Sequence, residues 1–170
     1  MEKIIGNSVT SNLVVNNLEI IISATELEKN IRQKVSIWID ILFLPDKTQK
    51  SKIEKFLDII QKHNVITFHD IISAFVYLKK IIYNPNLLEN RDFYHKFVIA
   101  VMLACKFNED TPYNNESYNR LSGISLSIIN DMELSFLFAC NWEVVISQNE
   151  YEHVCELLLF IEINKTCVNN

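Results

Sequence analysis

Phe97-Val-Ile-Ala-Val-Met-Leu-Ala-Cys105 is the longest unbroken apolar run in the chain, and Lys106 ends it. It is far short of the ~20 residues that cross a bilayer. A segment apolar on all sides reads as a central helix enclosed by others. Upstream, Thr67-Phe-His-Asp70 is a helix start with an acid in its first turn. Ile71, Ile72, Phe75, Leu78 and Ile82 then point toward a core, and Asn84-Pro85-Asn86 ends that helix as a turn. Further upstream, Ile31, Val35, Trp38, Ile39 and Leu42 recur at helical steps in a helix from about Leu18 to Leu44, closed by Pro45. Residues 46–55 carry four lysines and read as a solvated linker. Ser51-Lys-Ile-Glu54 there has the capping-box pattern and is expected to open a short helix. That helix carries Ile53, Phe56, Leu57 and Ile60 and ends near His63-Asn64.

Downstream, Asn108 to Asn115 is acidic and turn-rich around Pro112. A short helix over about 116–121 leads to Ser122-Gly123, where glycine can take the left-handed stop. A longer helix runs from about Ser125 to Asn141, with Ile129, Met132, Phe136, Leu137 and Cys140 on one face. Ser147-Gln-Asn-Glu150 is another capping box, opening a helix with Tyr151, Val154, Leu158 and Ile161. No repeat of fixed period is visible. The pattern is all-α: a loose leader (1–17), an N-terminal helix (18–46), a helical globular unit (47–146), and a C-terminal helix and tail (147–170).

Composition narrows the function. Two glycines and three prolines stand among 170 residues, where average usage supplies roughly twenty of the two types combined. Strand-and-turn folds need glycine at many turns, and phosphate-cradling loops need two or three close together. Gly6 and Gly123 lie far apart, which excludes a P-loop, a dinucleotide fingerprint and a kinase glycine loop. The net charge of −5 argues against a nucleic-acid partner held by phosphate contacts. The N-terminus lacks a signal peptide's basic-then-apolar order, and no membrane partner is expected. Cys105, Cys140, Cys155 and Cys167 have neither zinc-ribbon nor thioredoxin spacing. They read as small buried thiols in a reducing, intracellular setting, in cytoplasm or nucleus.

The search for catalysis is negative. His63, His69, His95 and His153 are dispersed, no metal or cofactor motif is present, and no catalytic residue is assigned. Glu150 and Glu152 diverge on a helix and read as solvated charges. Cys105 and His95 lie about 15 Å apart along a helix, too far for a nucleophile and its base. Two charges in apolar settings remain. Lys106 can complement the dipole at a helix C-terminus, and Glu133 can be an ordinary flanking charge. Alternatively both reach a shared groove where a partner's backbone can be hydrogen-bonded.

These residues carry a resemblance. Phe97 to Asp110 resembles the third helix of a cyclin box. Tyr113-Asn-Asn-Glu-Ser-Tyr-Asn-Arg-Leu-Ser-Gly-Ile-Ser125 is similar to the phosphate-pathway (P/U-type) cyclins, which carry a Tyr-Asn-Asn…Tyr…Gly-Gly-Ile-Ser pattern there. Met132-Glu-Leu-Ser-Phe-Leu-Phe138 matches their Leu-Glu-x-x-Phe-Leu run, and Asn141-Trp142 the end of that helix. The likeness is best over about 67–146 and fair back to about 50.

The resemblance implies a five-helix cyclin box with an additional N-terminal and C-terminal helix. It also implies a non-enzymatic subunit that activates a cyclin-dependent kinase by holding the kinase's regulatory helix in place. In cyclins a lysine and a glutamate from the third and fifth box helices bind the kinase; here they are Lys106 and Glu133. Leu103, Phe107, Leu137 and Trp142 take the matching apolar positions. The subfamily points to a kinase of the phosphate-responsive or neuronal type.

There are departures. Mitotic cyclins open their first box helix with Met-Arg-Ala-Ile-Leu, whose arginine pairs with an aspartate on the second. Here the first helix reads Ser51-Lys-Ile-Glu-Lys-Phe-Leu and Lys79 stands near the aspartate's place, so that pair and a mitotic substrate-docking patch are not expected. Ser122 replaces one glycine of the Gly-Gly-Ile-Ser pattern, and the chain stops one helix after the box, as a single-box cyclin would. A cyclin fold also builds promoter-binding factors, but those use two repeats and a basic face. A cyclin-fold adaptor that tethers a kinase without activating it stays open, because it needs the same groove.

Overall fold

Small polar side chains decide where most of the helices begin, because each helix leaves backbone N–H groups without an internal partner. The computed structural model describes residues 24–63, 65–82, 88 and 91–168. Among these are seven α-helices and no strand: α1 Ala24–Leu42, α2 Lys47–Lys62, α3 Phe68–Ile82, α4 Phe93–Asn108, α5 Asn115–Ser122, α6 Leu126–Ala139 and α7 Gln148–Val168. The chain divides into two compact units, Met1–Ile31 and Arg32–Asn170, and of the first only residues 24–31 are described. The expected leader, the first turns of the expected N-terminal helix and the Asn84-Pro85-Asn86 turn lie outside the described residues.

The helix starts test the capping expectations. Thr67 and Asp70 form a reciprocal box: the Thr67 N–H donates to Asp70 Oδ2 at 2.8 Å, and the Asp70 N–H to Thr67 Oγ1 at 3.2 Å. Ser147 and Glu150 repeat it at 2.8 and 3.3 Å. Ser51 and Glu54 do not. The helix begins earlier, capped by Asp46, whose carboxylate accepts from the Thr48 and Gln49 N–H groups at 2.8 and 2.9 Å. Asp46 sits in extended backbone just after Pro45, where a short carboxylate reaches both donors. Ser51 therefore lies inside α2, and Glu54 accepts from the Ser36 hydroxyl of α1 at 3.1 Å. The lysine-rich stretch expected as a linker is the solvated first half of that helix. Between α5 and α6, Gly123 takes φ +73° as the left-handed stop.

The core is built around α4. Every side chain from Phe97 to Cys105 is buried, as a helix apolar on all sides requires. Helix α3 packs most extensively on it, with α6 and α2 also against it, α5 against α6 and α2, and α7 against α3. In α3 it is Ile81 that turns inward; Ile82, expected in the core, is exposed, because one residue rotates the side chain by about 100°. Trp38 of α1 meets Phe75 edge-on at 5.6 Å, and Phe56 of α2 meets Phe97 at 6.4 Å.

Polar ties fix how α3 and α4 meet. Asp70 is fully buried, yet its carboxylate accepts from the Thr67 N–H and hydroxyl and from Asn108 Nδ2 at 2.8 Å. The last residue of α4 is thereby fastened to the first turn of α3, and Lys106 and Phe107 are held two and one residues before that fastening.

Candidate functional site

Lys106 lies in the last turn of α4, at the end of the buried run. Its ammonium donates to Glu133 Oε1 of α6 and to Asn115 Oδ1, the first residue of α5, each at 2.5 Å. Asn115 Nδ2 donates in turn to Glu133 Oε2 at 2.7 Å and to Asn130 Oδ1 at 2.8 Å. One cation, one anion and a two-way amide thus join three helices. The pair is neither buried nor free: the Lys106 and Glu133 side chains keep 24% and 21% of their exposure. Partly hydrated charges of this kind avoid the full desolvation cost of a buried pair.

The apolar residues expected around the pair divide. Phe107 is 52% exposed and Trp142 53%, while Leu137 is half-buried on α6 one turn from Glu133. Leu103 is only 2% exposed and packs into the core beneath the other expected contact residues. Being three residues before Lys106 turns it to the inner side of α4. Two recesses flank the pair. One, of about 610 Å³, is lined by Lys106, Pro112, Tyr113, Asn115, Leu126 and Asn130. The other, of about 360 Å³, brings Phe107 together with the extended Val144–Ile146 segment, His69 and Tyr151. Lys106 and Phe107, adjacent on α4, therefore line separate hollows.

Trp142 enters neither recess. Its indole packs edge-on against Phe138 at 5.2 Å, and its backbone N–H donates to the Leu137 carbonyl at 2.8 Å. Sequence reasoning missed Asn115 and Asn130 as members of the charged cluster. Asn130 stands three residues before Glu133, so a shared α6 face was the available signal. It also read Glu150 as part of a capping box and otherwise as a solvated charge, without its ion pair to Lys80. Glu150 caps α7 and pairs with Lys80 at 2.9 Å. Burial acts to raise its pKa, but the Ser147 N–H and hydroxyl and the Lys80 ammonium override it and lower it to about 2.

Burial pushes the thiol of Cys105 up to about 12 and those of Cys140 and Cys155 to about 11, which keeps all three in the unreactive protonated form. Among the described residues no group of three or more His, Cys, Asp or Glu is arranged to hold a metal. No single helix among them is long and apolar enough to cross a membrane; α5 and α6 pass only as a pair, bent by 115°.

The described residues form an all-α unit with an enclosed central helix and a lysine–glutamate pair at its rim. The family model described as Cyclin matches residues 11–144, and the chain belongs to the cyclin family. It is similar to Cyclin-U1-1 of Arabidopsis thaliana, 30% identical over 105 residues that cover 61% of this chain and 50% of that protein. PHO85 cyclin-6 of Saccharomyces cerevisiae is 42% identical over 65 residues, covering 38% and 16%. PHO85 cyclin-7 of the same yeast is 24% identical over 158 residues, covering 81% and 55%. These relatives fit the P/U-type pattern read in residues 113–138. The chain spans about half the length of most of the curated relatives it matches. No solved structure is a significant match.

Proposed function

We propose that this chain is a non-enzymatic regulatory subunit that binds a cyclin-dependent protein kinase and activates it by holding the kinase's regulatory helix in position. The observation that carries this reading is the Lys106–Glu133 pair, half-hydrated at the joint of three helices with exposed Phe107 beside it. A cation and an anion at fixed separation give register and orientation to a partner's backbone. The apolar surface of Phe107, Leu137 and Trp142 supplies affinity. Leu103 contributes by packing beneath them. Activation then consists of lowering the cost of ordering the kinase's lysine–glutamate pair and activation loop, while phosphate chemistry stays with the kinase.

The yeast relatives are named as cyclins of PHO85, which supports a kinase of the phosphate-responsive type and an intracellular site of action in cytoplasm or nucleus. The experiment is a protein-kinase assay on purified PHO85 with and without the full chain. A stable complex with a rise in activity is expected. A stable complex with no rise favours an adaptor that localises the kinase, and no complex overturns the assignment.

A further inference from the structure

Between α6 and α7 the chain runs through residues 143–147 without helical structure. Such a stretch has no ladder of its own to fix it, so its position depends on what its backbone groups bond to. Two side chains three residues apart on α3, and so on one face of that helix, grip it. The hydroxyl of the buried Tyr77 donates to Val144 O at 2.7 Å. Lys80 Nζ donates to Glu143 O at 3.1 Å and pairs with Glu150 Oε1 at 2.9 Å. Glu150 Oε2 accepts in turn from the Ser147 N–H at 2.8 Å. The segment is thus fastened at 143, 144 and 147. Ile146 and Val145, the latter 82% exposed, lie between the fastenings.

This segment is one of the elements that bound the recess of about 360 Å³. It contributes Val144–Ile146, the end of α4 contributes Phe107, and α3 contributes Ser73 and Tyr77. The α4 end is tied to α3 as well: Asn108 Nδ2 donates to Asp70 Oδ1 at 2.8 Å and to Ser73 Oγ at 3.2 Å. Helix α3 itself is buried at every residue from Asp70 to Leu78. One rigid helix therefore sets where both apolar sides of the recess stand, Phe107 by one tie and Val144–Ile146 by the other.

We propose that Tyr77 and Lys80 are positioning residues for the kinase contact: they hold residues 143–147 in place, so that the recess beside Phe107 is already shaped for an apolar side chain of the kinase. This rests on the kinase-binding reading and deepens it, by naming what shapes the contact. Neither residue needs to touch the kinase. A recess shaped in advance spares the complex the cost of ordering a loop on association. Lys80 does this with one ammonium that reaches both the start of the segment and the cap of α7, so the segment and that helix start are set together.

The test uses the full chain and reads affinity for purified PHO85 below the melting transition of every variant, so that lost stability does not register as lost binding. Y77F removes only the hydroxyl, and K80M keeps the stem and removes the charge. Each is expected to bind about three- to tenfold more weakly, the range that one hydrogen bond supplies. K80R, whose guanidinium can donate to the Glu143 carbonyl and to Glu150 together, is expected within about twofold of the unmutated chain. In an F107A background Y77F should cost less than about twofold more, because the recess it shapes has already lost its ring. Undiminished binding by Y77F and K80M overturns the proposal. A full, additive loss from Y77F in the F107A background also overturns it, because the hydroxyl then does not act through the recess. Should Y77F fail to fold, K80M against K80R decides alone, and equal weakening by both overturns the proposal. Absence of binding by the unmutated chain overturns the kinase reading itself, a failure distinct from the others.

Discussion

Two ends of the same helix behave as opposites. Phe97 to Cys105 is sealed in the core, whereas Lys106 and Phe107, the next residues along, stand at the rim with their side chains partly or half in water. The first stretch stabilises the chain and has nothing to offer a partner. The second carries charge, aromatic surface and a hollow beside each of its two side chains. The boundary between them is held by Asn108, which bonds the buried Asp70 and fixes the helix end. The proposed binding site thus directly adjoins the fully buried run, so a partner would meet residues with few alternatives.

The comparison breaks most severely in the core. Phe97→Ala removes a fully buried ring in contact with Phe56, and is expected to cost about 3–5 kcal/mol. Calorimetry should show the melting midpoint falling by roughly 2–4 °C for each of those kcal/mol. Asp70→Ala comes next, at about 1–3 kcal/mol in denaturant titrations, because it removes a cap and leaves the Thr67 and Asn108 donors short of an acceptor. Phe107→Ala should reverse the ranking: stability stays within about 0.5 kcal/mol, while kinase affinity falls about tenfold or more in a binding titration.

The smallest effect is electrostatic and lies away from the rim. The Glu150 pKa is lowered from 4.5 to about 2 in the folded chain. Its contribution to stability is therefore complete above about pH 4.5 and lost as pH falls toward 2. Thermal melts across that window should show the midpoint of the unmutated chain declining more steeply with acid than that of Glu150→Gln.

The enclosed half of the comparison was legible in the residues themselves, because nine consecutive apolar side chains have one stable reading in an all-α chain. So were Thr67, Ser147 and Gly123, whose roles are settled within four residues of sequence. Ser51 was not: a capping-box pattern inside a helix looks the same as one at its start, and here the local cap by Asp46 and the tertiary bond from Ser36 to Glu54 decide between them. Ile82 failed by one residue of helical phase. The rim was legible only through family resemblance. Spacing brought out Lys106 and Glu133 as charges in apolar settings, but Asn115, Asn130 and Asn108 join the site through contacts 9 to 38 residues apart. Apart from Asn130, which shares a helix face with Glu133, local pattern has no access to such pairs. Leu103 shows the converse limit, since a matching position told nothing of its burial.

The central claim is that the charges of Lys106 and Glu133 face a kinase as well as each other. The exchange K106E/E133K separates these roles. It preserves an internal ion pair, and the Asn115 amide can serve both exchanged groups by turning over, since it offers a donor and an acceptor. The chain should keep its helix content and melt close to the unmutated protein, yet lose co-purification with PHO85. Undiminished co-purification by the exchanged chain would contradict the account.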